Sequence, residues 1–443
     1  TVKVGVQDAW GNAVSSSTVI SPSLVDGVTR LALTGNDVTS ADANTDSQGV
    51  ATFTGMKFNR AGAVRIKFEN SAGLATYSDP FTIAVAAPHH ITWVTQPDVT
   101  IENRAVITSA PVAEIRDEFE NLVSTGYSAT ATLGTTNSSN VNSIANATRV
   151  ASGGKFTFSS LVLGAKVGTY AFKISSITVT KTSDSSSVAL NSYGANSSTF
   201  TLTHGVANKL TVITQASGAS SGAKFTTQPI LEVQDQDGNT VTSGAASAAS
   251  ITMGVDVGST VASNSITASV GRANFQTATT GQKLGISGLI GDRTLTYTAS
   301  FASTQLTATQ SISLTAGTAA KLGYRTGPNA TVQPGDVEAG ELFPNAPTIE
   351  VQDAQGNLVT TATNAVVANL YKGGVAVAGK TSTKAASGGV ATFDATNFTV
   401  TRGNDYSLVY TASGLTDSLA TNSFTITNGA AKTVRFTTNP VAI

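Results

Sequence analysis

Cysteine is absent from all 443 residues. That removes disulfides, thiolate zinc sites and cysteine nucleophiles, and it suits a protein held together by many strands rather than covalent staples. Charge is scarce too: Asp, Glu, Lys and Arg make up 12%, about half the ~25% of an ordinary soluble domain. Ser and Thr supply the polarity instead. The formal net charge is −1 with no basic run, so the electrostatic footprint of a nucleic-acid binder is missing. No apolar run reaches the ~20 residues of a membrane helix, and no signal peptide opens the chain. An exported protein would therefore be numbered here in a mature or trimmed form.

What is present is repetition. The segments "VQDAWGNAV" (6–14), "IRDEFENLV" (115–123), "VQDQDGNTV" (233–241) and "VQDAQGNLV" (351–359) are near-copies of one turn. Their aspartates, Asp8, Asp117, Asp235 and Asp353, recur at intervals of 109, 118 and 118 residues. A second landmark follows 36–41 residues after each: "GVATF" (49–53), "GKFTF" (154–158), "GRANF" (271–275) and "GVATF" (389–393). A third precedes a turn in "ITWVTQP" (91–97), "LTVITQA" (210–216) and "LGYRTGP" (322–328), and returns in "VRFTTNP" (434–440). Three landmarks in fixed order mean tandem domains. The unit is far longer than a solenoid repeat and close to the ~100 residues of a β-sandwich.

Within each repeat the apolar period is two. Val64, Ile66 and Phe68 alternate with Arg65 and Lys67; Tyr170, Phe172 and Ile174, Leu295 and Tyr297, Leu408 and Tyr410, and Phe424 and Ile426 follow the same rule. Such alternation predicts half-buried antiparallel strands, and no window carries a capped 3.6-residue stripe. The expected fold is all-β: tandem antiparallel sandwiches at 1–86 (lacking its first strand), 87–205, 206–317 and 318–429, with an orphan first strand or donor strand at 430–443. In each turn Asp accepts backbone N–H bonds and Gly tolerates positive φ, while Val14, Val123, Val241 and Val359 are expected to start the next strand. Glu120 replaces Gly in the second copy, which predicts a different turn geometry there.

"IEVQDAQGNLV", "GGVATFDATNFTV" and "NDYSLVYTASGL" resemble the bacterial immunoglobulin-like repeats of group 1, the type of the invasin and intimin surface proteins. The resemblance covers the three complete repeats and most of the first. It implies non-enzymatic, surface-exposed rods used for adhesion, spacing or coat building, on analogy of fold.

Motifs with chemical content are few. His89 and His90 sit at a domain junction without HExxH spacing; on one strand they would face opposite sides, which argues against a shared metal. "GASSG" (218–222) matches a nucleophile-elbow pattern around Ser220, but a strand is expected after it where that motif needs a helix. In "DANTDSQG" (42–49), Asp42, Asn44 and Asp46 offer alternating oxygens as calcium loops do. The Gly is misplaced for an EF-hand and no bidentate Glu follows, so a polar hairpin is the other reading and no cofactor is expected. Asn-x-Ser/Thr sequons at Asn137, Asn146, Asn196, Asn329 and Asn397 mark surface loops that could carry glycans. Trp10 and Phe119 occupy a turn position held by Asp237 and Gln355 in the other repeats. A large ring at a solvated tip points to contact with a neighbouring domain or subunit, or with the domain's own loop.

The ends are complementary. Residue 1 falls on the strand before Asp8, whereas 429–443 read as an opening strand with no domain behind it. Two explanations fit: a window cut from a longer array, or head-to-tail self-association in which the last strand of one molecule completes the first sandwich of the next. As an extended strand, Lys432, Val434 and Phe436 share one face, and Thr433, Arg435 and Thr437 the other. Matching Leu210 with Thr433 and Val212 with Arg435 gives a mixed edge-strand pattern with Val434 and Phe436 as anchors. The function expected is a structural protein of a prokaryotic cell surface, in a surface layer or extracellular filament. Alternatives are an adhesin stalk, or accessory domains of a larger secreted protein such as a glycosidase, whose aromatic platforms would have to come from two Trp residues.

Overall fold

In the computed structural model, every residue is described except 16, 34–37, 193, 195, 262–264, 325–332, 394–397, 417–420, 436 and 439–443. Among the described residues the chain is all-β; its only helical pieces are three short 3₁₀ turns at Ser138–Asn140, Ala245–Ala248 and Thr280–Gln282. No helix there is long and apolar enough to cross a membrane. Two compact units divide the chain, Thr1–Gly205 and Val206–Ile443, and each holds two hydrophobic cores.

Alternation places the cores. Val64, Ile66 and Phe68 are buried on strand Gly62–Asn70, while Arg65 and Lys67 stay half-exposed. Leu295 and Tyr297, Leu408 and Tyr410, and Phe424 and Ile426 are likewise buried. The third repeat shows the plan. Ile230–Gln234 lies between Lys209–Thr214 and Arg272–Asn274 in one sheet. The other sheet runs Ile266–Thr267, Ser250–Val255, Gly291–Phe301, Thr304–Leu314. Leu231 and Val233 from the first meet Ile251, Leu295 and Tyr297 from the second in one core.

Two further features mark these sandwiches as immunoglobulin-like. A short early strand runs parallel to the last one, Thr100–Glu102 beside Phe200–Thr203 and Val337–Glu338 beside Phe424–Thr427. The Tyr170 hydroxyl donates to the Lys166 carbonyl at 2.6 Å and that of Tyr406 to the Thr401 carbonyl at 2.8 Å. Such a tyrosine corner pins the start of its strand to the backbone just upstream.

The first repeat differs. Among the described residues, Val2–Gly5 pairs with Val50–Phe53 alone. Its counterparts Val112–Arg116, Ile230–Gln234 and Thr348–Gln352 each have a second neighbour, respectively His90–Thr95, Lys209–Thr214 and Lys321–Tyr324. As a result Val4 and Val6 are only half-buried, whereas Ala113 and Ile115, Leu231 and Val233, and Ile349 and Val351 are buried. At the other end, residues 430–435 lie outside any strand and Val434 is fully exposed. Lys432 is exposed beside it; Phe436 lies outside the described residues.

One expectation is corrected. Val14, Val123, Val241 and Val359 do not open the next strands, which begin at Val19, Tyr127, Ser250 and Ala365. Each turns back on its own strand: Val14 N–H donates to Val6, Val123 to Ile115, Val241 to Val233 and Val359 to Val351, all at 2.9 Å. The glycine of the second landmark clamps this return. Gly49, Gly154, Gly271 and Gly389 have φ between +71° and +77°. A Cβ on them would fall 2.6, 2.3, 2.3 and 2.4 Å from the carbonyl oxygens of those same valines. Both the left-handed backbone and the close approach exclude a side chain.

Gly271→Ala should therefore cost more than the ~1–3 kcal/mol of a strained backbone. Gly258 also has positive φ (+90°) but open space around its Cβ direction, so Gly258→Ala supplies the strain without the clash. Chemical denaturation of both variants checks this; equal losses would refute the clamp.

Candidate functional site

The repeated turn is built alike four times. In each copy Asp Oδ1 accepts the N–H groups two and four residues on, at 2.9–3.0 Å. Its Oδ2 accepts the side-chain amide of the Asn four residues on, at 2.8–3.0 Å. Glu120 does not alter this geometry: its φ of +67° compares with +88°, +78° and +91° at Gly11, Gly238 and Gly356. The surrounding bonds hold Glu120 in a conformation that costs an ordinary residue of order 1–3 kcal/mol.

At Asp117–Asn121 and at Asp353–Asn357 the turn also bonds the domain before it. In the first unit, Ala86 N–H donates to Asp117 Oδ2 at 3.0 Å. Asn121 Nδ2 donates to the Asn59 carbonyl at 2.7 Å, and Asn121 Oδ1 accepts Ala61 N–H at 2.9 Å. In the second unit Gly317 N–H donates to Asp353 Oδ2 at 2.8 Å. Asn357 Nδ2 donates to the Gly288 carbonyl and Asn357 Oδ1 accepts Ile290 N–H, both at 2.9 Å. These partners are equivalent by register, because Gly62 pairs with Ile83 as Gly291 pairs with Leu314. Asp thus holds the linker from the preceding domain, and Asn grips a loop of that domain. We call the three-bond joint a clasp.

The intervening turn residue also faces the preceding domain. Phe119 lines a polar cleft of about 520 Å³ with Asn59, Arg60, Glu120 and Asn121. Gln355 Oε1 accepts the Ser221 hydroxyl at 3.2 Å. Trp10, at the same position of the first turn, is 87% exposed, and Asp8 and Asn12 are exposed with it.

Electrostatics follows burial. Burial pushes the Asp117 carboxyl upward, but the Asn121 side chain and the N–H groups of Asn121, Ala86 and Phe119 outweigh it and leave the carboxyl below its ordinary value. For Asp353, burial is again outweighed, by the Asn357 side chain and the N–H groups of Gly317, Asn357 and Gln355. The exposed Asp8 is lowered mainly by the side chain and backbone of Asn12.

The remaining candidates disperse. Asp46 Oδ1 accepts Gln48 and Val50 N–H at 2.8 and 3.0 Å, capping a turn, while Asn44 lies in strand Ala43–Asn44 and Asp42 precedes it. Among the described residues no three His, Asp or Glu side chains gather as a metal would require. The Ser220 hydroxyl donates to the Ala316 carbonyl at 2.8 Å. His89 and His90 depart from expectation: their Nδ1 atoms are 3.3 Å apart. The strand begins at His90, so the two rings straddle its start and need not alternate; His90 Nε2 also lies 3.0 Å from Glu120 Oε1. The residues that sequence reasoning missed are Asn121 and Asn357. The signal was there: Asn ends all four copies of the turn, while Gly is present in three.

No protein-family model matches the chain, and no curated protein does. Among solved structures, similarity extends to InvD of Yersinia pseudotuberculosis, at 16% identity over 77% of this chain and 98% of that chain, TM-score 0.26. It extends also to the Escherichia coli adhesin FdeC, at 14% over 78% and 100%, TM-score 0.28. Cadherin domains 3–6 of protocadherin gamma B2 match at 14% over 90% and 94%, TM-score 0.28.

Asn357→Ala removes two clasp bonds and strips one partner from Asp353. A loss of about 1–3 kcal/mol is expected, read as faster protease cleavage near residues 317–320 with the fourth domain's core intact. Unchanged cleavage would deny the clasp any energetic weight. A pH dependence follows too. Asp117 and Asp353 are lowered in the folded chain, so their contribution is complete above the ordinary carboxylate value of ~4. It is lost as pH falls through their lower folded values. Melting temperature should be level above pH ~5 and fall below pH ~4, less steeply in Asp353→Asn; identical profiles would contradict the assignment.

Proposed function

We propose that the chain is a structural protein of a prokaryotic cell surface, whose tandem immunoglobulin-like domains build a surface layer or extracellular filament and carry no catalytic site. The observation supporting this reading is the clasp, made with the same three bonds at Asp117–Asn121 and at Asp353–Asn357. Polar groups that a binding cleft would offer a ligand are here spent on fixing one domain to the next. A protein that spaces or covers needs such fixed joints between modules that otherwise vary.

Surface labelling of intact cells, together with electron microscopy of the native material, tests the proposal. Labelled, periodic arrays or fibres are expected. Isolated projections ending in another module would favour a stalk, and material confined within the cell would refute the surface assignment.

A further inference from the structure

Among the described residues, three strands that end a sheet are long: Phe172–Lys181, Thr304–Leu314 and Val375–Ala385, of 10, 11 and 11 residues. A long free edge is a template for another chain, and charged side chains and bulges are its usual guards. Phe172–Lys181 carries Lys173 and Lys181, and its ladder shifts register between Thr132 and Leu133 of the neighbouring strand. Val375–Ala385 carries Lys380 and Lys384, and its ladder shifts between Asn369 and Tyr371. Thr304–Leu314 has neither guard. It pairs with Gly291–Phe301 residue by residue without a shift, and no charged residue occurs anywhere from 294 to 320.

Part of this edge is already covered. Thr315 N–H donates to the Ala219 carbonyl at 3.0 Å, and the Thr315 carbonyl accepts Ser221 N–H at 2.9 Å. The Gln310 side chain holds the loop before them, accepting Ala216 N–H at 3.0 Å and donating to the Ala216 carbonyl at 2.6 Å. Among the described residues no backbone bond reaches the open side of Thr304–Thr309. Backbone groups alternate sides along an antiparallel strand. Because those of Thr315 point to the open side, those of Gln305, Thr307 and Thr309 do so too. Side chains alternate between faces as well: Leu306 and Ala308 pack against the core, while Gln305, Thr307 and Thr309 are exposed.

We propose that Thr304–Thr309 pairs antiparallel with the same segment of a second copy of this chain, about a two-fold axis through Thr307. Bonded pairs must join residues whose backbone groups face the open side, and opposite side chains then share a face. Centring on Thr307 sets Thr307 opposite Thr307 and Gln305 opposite Thr309 twice over, exchanging about six backbone bonds. Centring on Leu306 or Ala308 leaves only the pairing of Thr307 with Gln305 or with Thr309, about four bonds. The Thr307 register also sets Leu306 beside Ala308 on the core face, apolar against apolar. The edge itself argues for the occupant. An uncharged strand without proline or glycine meets no repulsion from its own copy, whereas a charged strand would find no counter-charge on it. Such an interface is isologous, the same patch on both molecules. It adds a side-by-side contact to the function proposed above and does not depend on it, since a pair in solution satisfies it.

The absence of cysteine makes the register readable. Full-length chains carrying Thr307→Cys or Thr309→Cys are oxidised mildly, and disulfide-linked dimer is measured on non-reducing gels. In the proposed register the two copies of position 307 have Cα atoms about 5.5 Å apart, within disulfide reach. Those of position 309 are ~14 Å apart, four residues of extended chain. Thr307→Cys should therefore give several-fold more dimer than Thr309→Cys, and mixing Thr309→Cys with Gln305→Cys should restore the yield. More dimer from Thr309→Cys alone would overturn the register. Thr307→Lys supplies the missing guard. Thr307 is exposed, so the denaturation midpoint should hold, while two ammonium groups set opposite each other should weaken self-association in sedimentation about fivefold or more. An unaltered chain that stays monomeric, or a Thr307→Lys chain that associates as well as the unaltered one, would overturn the pairing. Surface arrays built equally well by Thr307→Lys chains would refute this inference and leave the surface reading standing. Links through position 307 in chains confined within the cell would support it and refute that reading.

Discussion

A carboxylate has two oxygens and room for about four hydrogen bonds, and the joints of this protein depend on how Asp117 and Asp353 fill them. Oδ1 takes two N–H groups of its own turn, and Oδ2 takes the Asn side chain. The last place is filled by the linker N–H of the preceding domain. Burying a carboxylate is costly unless such partners are in place. The charge that shapes the turn is thus fully satisfied only when the neighbouring domain is docked, so local folding and domain joining share one group.

The Asn extends this outward with an amide, which can donate and accept at once. It meets one carbonyl and one N–H of the neighbouring loop, as a strand meets its partner in a sheet. Recognition of backbone makes few demands on sequence. The gripped residues are Asn59 and Ala61 in one joint and Gly288 and Ile290 in the other, with no side chain in common. Repeats can therefore diverge while the joint persists.

That same economy explains what the sequence could and could not disclose. Strand faces were legible, because burying Val64, Ile66 and Phe68 beside exposed Arg65 and Lys67 is a property of alternation alone. The turn was legible as a turn, since Asp, Gly and Asn each have a local reason to be there. The Asn was misjudged for that very reason: its tolerance of turn backbone accounted for it, and its partner, a main-chain group some sixty residues away, leaves no side-chain mark. The role given to Val123 and Val359 failed because the glycine that bends them back lies about thirty residues downstream. Glu120 shows the opposite error. Propensity forecast a new geometry, and a fully bonded Asp imposed the old one.

Energetics explains why so small a joint is enough within one chain. Three hydrogen bonds at ~0.5–1.5 kcal/mol each amount to less than the roughly 4–15 kcal/mol that free association costs. Within one polypeptide the linker removes most of that cost by holding the partners at millimolar effective concentration, so the clasp alone suffices to orient adjacent domains.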